Sequence, residues 1–106
     1  MTQLVVKNRG KTLFLNTADV DWIEAADYYA CLHVGNATHI LRRSLHALER
    51  ELDAKTFVRI HRSIIVNRER VRGLELHSSG EHEVVLQSGV RLSMSRRFRK
   101  NFTDRL

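Results

Sequence analysis

Residues 57–67 read FVRIHRSIIVN. Phe57, Val58 and Ile60 on one side, and Ile64, Ile65 and Val66 on the other, are side chains that pack well on β-strands. Between them His61, Arg62 and Ser63 all carry hydrogen-bond donors. An arginine buried without a partner is very costly. The HRS segment is therefore expected to surface at a strand end or bend, with its side chains turned outward. Asn67 follows the second apolar run and suits a turn that closes it.

Short β-rich segments continue on both sides. LVVKNR, KTLFL, VDWIEA, YYACLHV and THILRR precede the stretch, and VRGLELH, HEVVLQ and VRLSMS follow it. Gly10, Gly35, Gly80 and Gly89 fall between segments, where turns are expected. In VRLSMS, Val90, Leu92 and Met94 share one side of a strand, and Arg91, Ser93 and Ser95 the other. Many short strands separated by turns predict a mainly all-β, antiparallel fold. Phe14, Trp22, Phe57, Phe98 and Phe102 read as core residues. Two stretches break the pattern. SLHALERELDAK places Leu45, Leu48 and Leu52 at helical spacing, with Ser44 as N-cap and Glu51 four residues before Lys55, which predicts one short helix over about 44–54. RRFRKNFTDRL spaces Phe98, Phe102 and Leu106 four apart and suits a C-terminal helical turn. With one convincing amphipathic helix, a helix-turn-helix domain is disfavoured, and any DNA must be read by strands or loops.

A chain of 106 residues suits a single domain, 1–106, with one core. No apolar run approaches the roughly 20 residues that span a bilayer, and the N-terminus lacks a signal-peptide layout, so the cytosol is the expected compartment. Cys31 is the only cysteine, which excludes an internal disulfide or a cysteine-built zinc site; its apolar neighbours predict a buried thiol. None of the six histidines forms a tight ligand pair; His77 and His82 flank a predicted hairpin turn and read as exposed turn residues. There is no phosphate-binding glycine loop, no GxSxG and no suitable cysteine–histidine arrangement, and the Asp19/Asp21 and Glu81/Glu83 pairs read as exposed strand positions. No catalytic residue, metal site or cofactor is expected.

Charge is the more informative quantity. The chain holds 18 Lys+Arg against 12 Asp+Glu, a net charge of +6. Residues 1–55 hold seven basic and seven acidic residues, whereas residues 56–106 hold eleven and five. The whole excess thus lies in the second half, and ten of its eleven basic residues are arginine. The arginine fork suits phosphate and guanine edges, so a polyanionic partner is expected.

The ordered segments IEA, YY and LH (23–33), RRSLHALEREL (42–52), FVRIHRSIIVN (57–67) and VLQSGVRLSMSRRF (85–98) resemble the LytTR-type DNA-binding domain of bacterial response regulators. The resemblance runs from about Leu4 to Phe102. It implies an elongated arrangement of small antiparallel sheets with a short helix, which binds double-stranded DNA by placing loops in successive major grooves. The first loop corresponds to Asp27–Tyr29, the second to HRS and the third to the strand end at Arg96. Arg62 and Arg96 stand at base-contacting positions. Tyr28 stands where family members usually carry asparagine and is the third candidate for a base contact. His61 and Ser63 are candidates for phosphate contact or loop bracing, and Asp27, Tyr29, Asn67 and Ser95 for loop support. Arg43, Arg97 and Lys100 are candidates for phosphate neutralisation. Neutralising about five or six phosphates gives a slope of log K against log salt near about −5. The implied role is the output domain of a transcription regulator acting on direct repeats, with a second protomer on the DNA and neither membrane nor small-molecule substrate. The regulator is either a stand-alone short form or a longer chain with an N-terminal sensory part. The alternative from another class is a β-rich interaction module that sequesters a partner regulator. A single-strand or RNA binder ranks lower, because aromatic residues are only 7% and read as core.

Overall fold

The computed structural model describes residues 1–104. Ten strands and two α-helices follow one another along them: β1 (Gln3–Asn8), β2 (Lys11–Asn16), β3 (Trp22–Ala26), β4 (Tyr29–Val34), β5 (Ala37–Leu41), α1 (Leu45–Glu51), β6 (Phe57–His61), β7 (Ile64–Asn67), β8 (Val71–Leu76), β9 (His82–Leu86), β10 (Arg91–Met94) and α2 (Arg96–Thr103). The strands form three antiparallel sheets, with orders β1-β2, β5-β4-β3-β7-β6 and β10-β9-β8. The molecule is elongated, 48 × 25 × 25 Å. Among the described residues no helix is long and apolar enough to cross a membrane.

The five-stranded sheet lies between two cores, and FVRIHRSIIVN shows why its apolar runs are nearly continuous. Successive strand side chains point to opposite faces. Phe57 and Ile65 join Leu4, Ile23, Leu32 and Leu48 in one core beneath α1 and the β1–β2 sheet. Val58, Ile60 and Val66 join Val84, Leu86, Leu92, Met94 and Phe102 in the other, against the three-stranded sheet and α2. Strands covered on both faces carry apolar residues in both phases.

The predicted helix is present but shorter. The Ser44 side chain accepts from the Ala47 N–H at 3.1 Å, as an N-cap should. Leu45 and Leu48 are buried, and Leu52 is the C-cap. Because the helix stops at Glu51, Lys55 falls outside it, and Glu51 pairs with Arg43 instead. The C-terminal turn is a full helix with Phe102 buried; Leu106 lies outside the described residues.

Several core assignments are corrected. Phe14 is 61% exposed, because it faces outward opposite Val5 on a sheet with only one covered face. Trp22 and Phe98 are half-buried, as is Cys31. Val90 is exposed and precedes β10, so only Leu92 and Met94 of its trio are core residues. Asp19 lies in a short 3-10 turn, and Asp21 accepts from the Gly35 N–H and pairs with Arg70.

Candidate nucleic-acid interface

Three strand connections converge at one end of the five-stranded sheet. The β3–β4 hairpin closes through Asp27 and Tyr28, with Ala26 opposite Tyr29. Asp27 has φ 54°, a conformation that aspartate tolerates better than most side chains. The β6–β7 hairpin closes through Arg62 and Ser63, with His61 opposite Ile64. The two turns are neighbours, because the Ala25 N–H donates to the Ser63 carbonyl at 2.9 Å. β5 ends at the same level, with Leu41 opposite Ala30.

The third predicted segment is brought to this end by a bulge. The β6–β7 register shifts between Arg59 and His61, leaving Ile60 without a partner on β7. The Ile60 carbonyl accepts the Ser95 N–H at 2.9 Å. Ser95 therefore follows β10 beside the HRS turn, and α2 starts there with Arg96 and Arg97 exposed. Lys100 is exposed one turn further on.

The HRS turn is tightly built. The Ser63 N–H donates to His61 Nδ1 at 3.1 Å, and Ser63 Oγ lies 2.9 Å from the same nitrogen. Nδ1 is thereby an acceptor, which leaves Nε2 as the ring's remaining nitrogen for an outside partner. Arg59 lies under the turn, with Nε donating to the His61 carbonyl at 2.9 Å and a second nitrogen donating to the Arg62 carbonyl. The Arg62 side chain itself is exposed and has no hydrogen-bond or ion-pair partner among the described residues. The same holds for Arg96.

The other sequence candidates divide. Tyr28 is 88% exposed at the tip of its turn. Tyr29 meets Arg42, whose guanidinium donates to the phenol oxygen at 3.2 Å and lies 5.5 Å from the ring centroid. This hydrogen bond raises the Arg42 pKa. Sequence reasoning missed Arg42, whose only signal was its place one residue beyond β5. Arg43 is half-buried and already paired with Glu51. Asn67 is turned inward, away from the exposed turns. It is fully buried, donates to the Val20 carbonyl at 2.9 Å and accepts from the Glu69 N–H at 2.9 Å. It ties the end of β7 to the segment before β3. Ser95 Oγ is buried and, among the described residues, has no hydrogen-bond partner.

The histidines of the β8–β9 hairpin do not face each other. His77 pairs with Glu83 at 2.6 Å, and Arg99 lies 3.4 Å from the His82 ring nitrogens. The ligand atoms of Glu75, His77 and Glu83 lie within 4.8 Å of one another, but Arg91 donates to both carboxylates. A guanidinium therefore already occupies the place a cation would take.

The model of the LytTr DNA-binding domain matches residues 10–106. The CO-responsive transcriptional regulator RcoM of Rhodospirillum rubrum is 38% identical over 69 residues, 65% of this chain and 29% of that protein. The transcriptional regulatory protein LytR of Staphylococcus aureus is 30% identical over 71 residues, 67% of this chain and 29% of that protein. The sensory transduction protein LytT of Enterococcus faecalis is 24% identical over 83% of this chain and 36% of its own length. The chain thus spans about a third of the length of these relatives. A solved LytTr DNA-binding domain of a response regulator from Bacillus cereus has the same fold, with a TM-score of 0.88 at 21% identity, covering 99% of this chain and 96% of that one.

Proposed function

The chain belongs to the LytTr DNA-binding domain family, whose members are DNA-binding regulatory domains rather than enzymes, and from that premise we propose how it reads its site. Residues 1–106 act as one sequence-specific output domain of a cytoplasmic transcription regulator. The turn end of the five-stranded sheet faces double-stranded DNA, with the Asp27–Tyr28 turn, the Arg62–Ser63 turn and the start of α2 entering successive major grooves. Arg62 and Arg96 each donate a bidentate pair to a guanine edge, worth about 1–3 kcal/mol of discrimination. Tyr28 lies on the base or sugar of the first groove. His61 and Ser63 hold the second turn and meet phosphate, with Arg97, Lys100 and Arg42 along the backbone. Arg43 carries less of this load because Glu51 neutralises it.

The observation that carries the reading is the bond between Ser95 and Ile60. It brings two exposed, unpaired arginines from distant parts of the sequence to one end of the five-stranded sheet, beside a third exposed turn. Tandem contacts of this kind fit direct repeats, each taken by one protomer.

The test is selection of bound duplexes from a random double-stranded pool, with wild type, Arg62→Ala and Arg96→Ala. A short motif that relaxes at different positions in the two variants supports the assignment. Unaltered preference in the double variant would sink it. Retention without any enriched motif favours the interaction-module alternative.

A further inference from the structure

We infer that Arg59 is a specificity-determining positioning residue: it fixes the HRS turn and the start of α2 in one arrangement, and so sets where Arg62 and Arg96 point. The inference rests on the base-reading roles proposed above.

Arg59 lies in β6, where a half-buried arginine between apolar neighbours demands partners. Three of its nitrogens have them, each on a different group. Nε donates to the His61 carbonyl at 2.9 Å, a terminal nitrogen donates to the Arg62 carbonyl, and the other pairs with Glu49 of α1 at 3.0 Å. The guanidinium carbon also lies 5.6 Å from the ring centroid of Phe98, in the first turn of α2. The side chain is only 13% exposed, so it is built into the molecule rather than offered to DNA. One planar fork thus contacts α1, both carbonyls at the head of the HRS turn, and the helix that begins with Arg96.

Two consequences follow. The turn's backbone is held from beneath by Arg59 and from above by the His61–Ser63 contacts, so the Arg62 Cα has little freedom. A base-reading arginine gains discrimination only when its fork meets the base edge in a fixed orientation. Lysine cannot replace Arg59, because a single ammonium cannot donate in the diverging directions of a planar fork.

The test compares the ratio of specific to nonspecific affinity for wild type, Arg59→Lys and Glu49→Gln, using the duplex selected by the wild-type chain and a scrambled duplex. Arg59→Lys keeps the charge, so nonspecific, phosphate-driven binding should persist. The ratio is expected to fall about tenfold or more, the size of one lost bidentate base contact. The amide resonances of Arg62 and Ser63 should shift in the same variant. Glu49→Gln alters a more exposed partner and should move the ratio less, in the same direction; it decides the matter if Arg59→Lys does not fold. A wild-type motif with the ratio unchanged in both variants overturns the role of Arg59 alone. A wild-type chain that enriches no motif overturns the base-reading roles and this inference with them.

Discussion

The backbone N–H of Ser95 donates to the carbonyl of Ile60 across 2.9 Å, at the point where the β6 bulge leaves Ile60 without a strand partner. This bond couples the end of β10 to the HRS turn. Ser95 has φ −75°, which a proline ring accepts, so Ser95→Pro removes the donor while its Cδ pushes the Ile60 carbonyl away from the end of β10. The buried Ile60 carbonyl then goes unpaired. The expected loss is about 1–3 kcal/mol in denaturant unfolding. Duplex selection should relax at the positions assigned to Arg96 and keep those assigned to Arg62. Equal relaxation at both would mean that the bond holds the whole end together rather than one segment.

Phosphate contacts should separate by pairing state. Arg97 and Lys100 are exposed and unpaired by any carboxylate among the described residues, whereas Arg43 already faces Glu51. Arg97→Ala and Lys100→Ala should each reduce the slope of log K against log salt by about 0.9, with the motif unchanged. Arg43→Ala should leave the slope nearly as it was and lower stability instead. Titrations at several salt concentrations measure this directly. A larger change from Arg43→Ala than from Arg97→Ala would reverse the assignment.

These contrasts show what was legible in the sequence. The HRS turn was readable because two apolar strands flank residues that cannot all be buried, and Ser44 with its leucine spacing marked α1. Arg59 was not readable as a brace, since an arginine in a strand gives no sign of which carbonyls its fork will meet. Arg42 was missed for the same reason: its partner Tyr29 comes to it through the β4–β5 pairing. Phe14 misled because aromaticity predicts burial only where a second layer covers the face, and among the described residues none covers the outer face of the β1–β2 sheet. Asn67 is the opposite case, a polar residue that the fold turns inward. It is a turn residue, as its type suggests, but the turn lies beneath the segment before β3.

Asn67→Ala tests that inward role. The substitution leaves the Val20 carbonyl and the Glu69 N–H without their side-chain partner, close to the core. The expected loss is about 1–3 kcal/mol, set by the buried Val20 carbonyl left unsatisfied, since Glu69 is exposed to water. The selected motif and salt slope of the folded fraction should match wild type. A stable variant with weakened DNA binding would return Asn67 to the interface.

The outer face of the three-stranded sheet offers a pH test removed from the HRS turn. Arg91 forks onto Glu75 with bonds of 2.7 and 3.1 Å, and also reaches Glu83 at 3.3 Å. The hydrogen bond from Arg91 holds the Glu75 carboxyl below its ordinary value of 4.5, against the opposing effect of desolvation, which comes second, and with lesser help from the nearby charges of Arg91, His77 and Arg72. The same pairing raises the Arg91 pKa. A carboxylate whose folded pKa is depressed stabilises the fold above its ordinary value, and that contribution disappears as pH falls through the folded value. Wild type should therefore exceed Glu75→Gln in stability at neutral pH. The gap should narrow once pH drops below 4.5 and close further down. Both groups are exposed, so the gap is small and should shrink in high salt. Denaturant midpoints of the two proteins across the acid range would measure it. A gap that stayed constant with pH would mean that Glu75 acts through packing, and that its charge contributes nothing.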